Sequence, residues 1–137
     1  MRSSSREAPL FSHDPAAYLP HRHPFLFIDR IIALEPGCAA TGIVLVSADT
    51  ARFSPLLLIE VMAQLGGIAA GQEEGSGGIL AAIERADLPH SIPPGATVQV
   101  TARILKSFGS LFLVQGEARI GNEPMAMATL TLAVGKP

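Results

Sequence analysis

The sequence predicts an α+β fold in which an antiparallel sheet wraps around one long buried helix. Three observations carry that expectation. The apolar stretch from Pro55 to Ala70 is shorter than a bilayer requires and is interrupted by Glu60 and Gln64, so it reads as a core helix and not as a membrane span. Two strand-like runs precede this helix and four follow it, an order that fits one helix packed on one sheet. The composition, 48% hydrophobic and 16% charged over 137 residues, is that of one oily globular domain.

The elements follow in order. Phe25 to Leu34 is rich in aromatic and β-branched residues and predicts a first strand, closed by the turn Glu35-Pro36-Gly37. Ala39 to Ser47 predicts a second strand, antiparallel to the first, ending in the polar loop Ser47 to Arg52. Ser54-Pro55 then opens the helix, because a serine oxygen can accept an orphan amide and proline at the first helical position has no amide to leave unpaired. The helix is expected to run to about Gln72, where the linker Glu73 to Gly78 begins. Gly66, Gly67 and Gly71 each weaken a helix by about 1 kcal/mol relative to alanine, so close packing against a curved sheet must compensate. Strands are expected at Ile79–Arg85, Thr97–Leu105, Ser110–Ile120 and Pro124–Val134, with Phe108-Gly109 and Gly121-Asn122 as hairpin turns. A sheet enclosing one greasy helix is the hot-dog arrangement. Its edge strand needs covering, which predicts a homodimer.

Whole-chain features narrow the function. A net charge of -2, one Tyr and no Trp argue against a phosphate-backbone binder and a base-stacking platform, so no nucleic-acid partner is expected. Cys38 is the single cysteine, which rules out an internal disulfide and a thiolate metal cluster and suits a reducing, cytoplasmic setting. Residues 1–17 read as a flexible N-terminal tail without the apolar run of a secretory signal, and residues 18–137 as a single domain.

Glu60 is the residue to explain, since an ionised carboxylate is costly to bury unless it is paired, hydrogen-bonded or chemically employed. Gln64 lies four residues on and shares its helical face. Facing a cleft, the pair would hold a carboxylate and an amide in an apolar wall, where desolvation raises the carboxyl pKa and suits it to general acid or base work. In a structural role, Glu60 would cap a backbone group or pair with an arginine such as Arg22, Arg30 or Arg85, with Gln64 merely hydrogen-bonded. His21, Arg22 and His23, between Pro20 and Pro24, fit either an anion-binding loop or a rigid turn that satisfies its own backbone. His13 and His90 are expected to face solvent. No third ligand is spaced to join His21 and His23, so no metal is expected, and without a phosphate-loop or dinucleotide fingerprint no cofactor is expected either.

Two strings, Leu19-Pro-His-Arg-His-Pro-Phe-Leu-Phe-Ile-Asp-Arg30 and Leu58-Ile-Glu-Val-Met-Ala-Gln-Leu-Gly-Gly67, resemble signatures of the 3-hydroxyacyl-(acyl-carrier-protein) dehydratases of fatty-acid synthesis. The likeness extends from Tyr18 to Val134. It implies the hot-dog fold, a dimer or trimer of dimers, and a substrate carried as a thioester on acyl carrier protein or coenzyme A. It makes Glu60 the catalytic carboxylate, Gln64 its companion, and His21, Arg22, His23, Phe25, Ser54 and Leu56 substrate-binding residues. The family's other catalytic group is a histidine in a Gly-His-Phe-Pro-Gly loop before the helix. Between Ser47 and Glu60 this chain has no such loop and no histidine, and Pro55 occupies the step where a backbone amide would meet the thioester carbonyl. Three functions follow: a dehydratase with altered chemistry in fatty-acid or polyketide synthesis, a thioesterase using Glu60 with Gln64 and a Thr50 or Ser54 hydroxyl, or a non-catalytic acyl-binding or dimerising partner.

Overall fold

The computed structural model describes residues 11–15, 28–47, 54–71 and 78–134. Within them lie β1 (Arg30–Glu35), β2 (Ala39–Leu45), α1 (Leu56–Ala69), β3 (Gly78–Asp87), β4 (Thr97–Phe108), β5 (Leu111–Ile120) and β6 (Glu123–Val134). The six strands form one sheet in the order β1-β2-β4-β5-β6-β3, and every neighbouring pair is antiparallel. The expected elements are present, with shifted ends. β1 starts at Arg30, and the expected start at Phe25 lies outside the described residues; Asp29 prolongs the pairing by donating its amide to Ile43 and accepting the Leu45 amide on its carboxylate at 2.7 Å. β3 and β4 outlast their expected ends by two and three residues, to Asp87 and Phe108, because each continues to pair with its neighbour.

Alternation decides which side of the sheet meets the helix. On β5, Val114, Gly116 and Ala118 are buried while Gln115, Glu117 and Arg119 are only half-buried. The same period of two buries Val98, Val100 and Ala102 on β4 and Ala126, Ala128, Leu130 and Leu132 on β6. Against this inner face lies α1, in which every residue from Val61 to Ala69 is buried. Two glycines allow the approach. A Cβ on Gly116 would stand 2.5 Å from Met62 Sδ, and one on Gly66 would stand 2.6 Å from Leu132 Cδ1. At these two points the helix touches the sheet directly, as its expected small-residue surface requires.

The helix start differs slightly from expectation. Pro55 adopts helical angles just before Leu56, the exposed Ser54 Oγ accepts the Leu56 amide at 3.3 Å, and the Ser54 carbonyl accepts the Leu57 amide at 2.9 Å. At the other end α1 stops at Ala69, short of Gln72, because Gly71 turns left-handed with φ 71°. The β1–β2 turn closes over this end, with the Gly37 amide donating to the Ala69 carbonyl at 2.7 Å. The direction of α1 across the sheet is thereby set.

The two sheet edges are unlike. Along β1, the Ile31 amide donates to the His13 carbonyl at 2.9 Å and the His13 Nδ1 donates to the Ile31 carbonyl at 2.6 Å, while Phe11 packs on the core. β3 is ten residues long and pairs only with β6 among the described residues.

Candidate functional site around Glu60

Within α1, Glu60 is the single residue after Leu57 that is not fully buried. Full burial was the expectation, and helix geometry accounts for the difference. Met62 faces Gly116, so at 3.6 residues per turn Glu60 and Gln64 each lie about 160° from Met62, on opposite sides of it. Both therefore occupy the helix face turned away from the sheet. There Gln64 is fully buried and not without a partner, and Glu60 keeps partial access. A carboxylate that is half-shielded by apolar neighbours yet reachable is placed to exchange a proton with a bound molecule.

The described cations that a purely structural role would recruit are elsewhere. Arg85 pairs with Asp87 at 3.3 Å, and Arg119 pairs with Glu117 at 3.5 Å. Arg30 is exposed on β1, and Arg22 lies outside the described residues. Leu56 stands one turn before Glu60 with 69% of its surface exposed, so α1 brings Leu56, Glu60 and Gln64, each four residues apart, to one face, with the exposed Ser54 just ahead of its start. His21, Arg22, His23, Phe25 and Thr50 lie outside the described residues.

Two clefts lined by described residues belong to the other side of the sheet. One of about 300 Å³ is lined by Arg85, Asp87, Gln115, Met127, Ala128 and Thr129, and one of about 390 Å³ by residues including Thr41, Thr101 and Arg103. These are predominantly outward-facing polar positions of the ladder, where Thr41 and Thr101 share a 3.0 Å hydroxyl hydrogen bond. They do not meet the Glu60 face. No helix of the described residues is long and apolar enough to cross a membrane.

The sheet order, the single central helix and the direct helix–sheet contact define a hot-dog protein. Solved structures agree at the level of fold. The dehydratase heterocomplex ApeI:P from Xenorhabdus doucetiae matches with a TM-score of 0.81 at 18% identity, covering 93% of each chain. The acetyl-CoA-bound smu.793 from Streptococcus mutans matches with a TM-score of 0.65 at 16% identity, covering 85% of this chain and 97% of that one. No family model matches the sequence. Relatives do: the 3-hydroxyacyl-(acyl-carrier-protein) dehydratase FabZ of Desulforamulus reducens is 33% identical over 131 residues, covering 86% of this chain and 92% of its own. That of Syntrophotalea carbinolica is 35% identical over 126 residues, covering 82% and 86%. The chain belongs to the 3-hydroxyacyl-(acyl-carrier-protein) dehydratase family.

Proposed function

We propose that this protein removes water from 3-hydroxyacyl groups carried as thioesters on acyl carrier protein, with Glu60 as a proton-transfer group and Gln64 orienting it. The supporting observation is the half-buried Glu60 carboxylate on the helix face turned from the sheet, in a chain 33% identical to a named dehydratase. The test supplies 3-hydroxyacyl and 2-enoyl thioesters of acyl carrier protein and of coenzyme A. Interconversion of the two with loss or gain of water is expected. If neither changes, the dehydratase reading is wrong.

A second reading is a thioesterase, favoured by the absence of any histidine between Ser47 and Glu60, because a carboxylate can direct water at a thioester without an imidazole. Release of free thiol from saturated acyl thioesters separates it from the first. Binding of acyl thioesters without turnover would instead mark a non-catalytic partner subunit. A reducing, cytoplasmic setting belongs to the same reading and is supported by the exposed free thiol of Cys38.

A homodimer through β3 is also part of this reading. An edge strand of ten residues leaves a row of amides and carbonyls open to another chain, and Ile79 and Ile83 on it are 67% and 51% exposed. Ile83→Lys places a charge on that edge. Light scattering is expected to give a dimer mass for the parent and a monomer mass for the variant, and an unchanged mass would exclude β3 as the contact.

A further inference from the structure

Taking the proton beside a thioester carbonyl pushes charge onto the carbonyl oxygen, so a hydrogen-bond donor aimed at that oxygen holds the transition state more strongly than the substrate. Glu60 accepts a proton, but as a carboxylate it has no hydrogen to offer. The site needs a further donor. The start of α1 is where helix amides ordinarily point outward.

Here those amides are engaged. Leu56 donates to the Ser54 Oγ at 3.3 Å, Leu57 to the Ser54 carbonyl at 2.9 Å and Leu58 to the Pro55 carbonyl at 3.0 Å. Pro55 has no amide. The backbone from Pro55 to Leu58 therefore has no donor left for a ligand, and the helix end is not itself the site. The Ser54 hydroxyl differs. Its oxygen accepts the Leu56 amide on a lone pair and keeps its own hydrogen to give.

Its position suits that use. Ser54 and Leu56 are exposed, and Glu60, one turn beyond Leu56, keeps partial access. Glu60 lies about 6 Å along the axis from Leu56. Ser54 Oγ lies 3.3 Å from the Leu56 amide on the opposite side, because helix amides point toward the helix start. Cα–Cβ bonds tilt the same way, so the Glu60 side chain leans back toward Ser54. The interval fits one C–C=O unit, with the carbon's proton toward Glu60 and the carbonyl oxygen about 3 Å from the hydroxyl.

We propose that the Ser54 hydroxyl is the hydrogen-bond donor to the thioester carbonyl oxygen, at a helix start that offers no backbone amide for the task. This rests on the reading of the Glu60 site as one for acyl thioesters. No bond to Ser54 forms or breaks, and it keeps its proton throughout. Its hydrogen bond tightens as charge gathers on the carbonyl oxygen and relaxes as the electron pair moves on.

The experiment separates the donor from the helix cap. Ser54→Ala removes both, Ser54→Asp keeps an oxygen for the Leu56 amide but has no hydrogen to give at neutral pH, and Ser54→Asn keeps both functions. Each full-length variant is assayed on a short 3-hydroxyacyl thioester of acyl carrier protein and melted. Ser54→Ala and Ser54→Asp are expected to lose about 100-fold in kcat, with KM within about threefold of the parent. Ser54→Asn is expected to stay within about tenfold, and Ser54→Asp to melt no lower than the parent, as an acidic cap should. Parent-like kcat in Ser54→Asp would make Ser54 a cap only and overturn the proposal. So would parent-like kcat in Ser54→Ala, a change confined to KM, or a loss in Ser54→Asn as large as that in Ser54→Ala, each leaving the reading of the Glu60 site intact. Absence of turnover of any acyl thioester by the parent would remove that reading and the proposal together.

Discussion

Glu60→Gln is expected to lower kcat for 3-hydroxyacyl thioester dehydration by about 10² to 10⁴-fold, with the melting temperature barely changed. The substitution keeps the shape and removes the ability to take a proton. Stability is expected to hold because neither of the ion pairs among the described residues, Arg85–Asp87 and Arg119–Glu117, includes Glu60, and because its side chain keeps access to solvent. Steady-state kinetics with a thermal melt on the same preparation checks both halves. Unchanged turnover would remove Glu60 from the chemistry, and a large fall in melting temperature would return it to a structural role.

Gly116→Val is expected to destabilise the fold by about 3 kcal/mol through overpacking, a fall in Tm on the order of 10 °C. Its Cβ alone would meet Met62 Cγ and Sδ at 2.5 Å and Met62 Cβ at 2.9 Å. The flexible end of Met62 can swing aside, but its Cβ is fixed to the helix, so α1 itself must move. Met62→Ala in the same chain removes the two nearest atoms, and the double variant is expected to be less destabilised than the sum of the singles by about 1 kcal/mol or more. Because Glu60 is two residues from Met62, a displaced helix also moves the carboxylate, and misplacement by about 1 Å can cost 10²-fold in rate. Gly116→Ala should therefore lose activity beyond its loss of folded protein, as a folded-fraction correction of kcat would reveal. A Gly116→Val protein with the parent Tm would mean that α1 does not rest on β5.

Much of this architecture was legible because each element repeats with its own period. Thr97 to Leu105 alternates apolar and polar residues, and β4 buries Val98, Val100 and Ala102 as that alternation requires. The helix was legible from its length and from Ser54-Pro55, yet its rotation was not. Whether Glu60 met the sheet or faced away depended on where Met62 landed, and Met62 landed on Gly116, a residue far along the chain that no local period connects to it. The closure of the β1 edge was equally hidden, because His13 lies in a polar segment without periodicity and acts through one backbone position of Ile31.

That closure limits how many copies can join by adding strands. β1 is short, carries an irregularity between Ile31 and Ala33, and has its Ile31 amide and carbonyl already taken by His13. A head-to-tail chain of molecules would need a free strand at both ends of the sheet, and such chains grow without limit. With Ile31 of β1 taken by His13, the β3-to-β3 homodimer proposed above would be a symmetric union that uses up its own growth point. In that arrangement the His13 contact would stand as a stop signal at one sheet edge, opposite an edge that is ten residues long and carries the exposed Ile79 and Ile83.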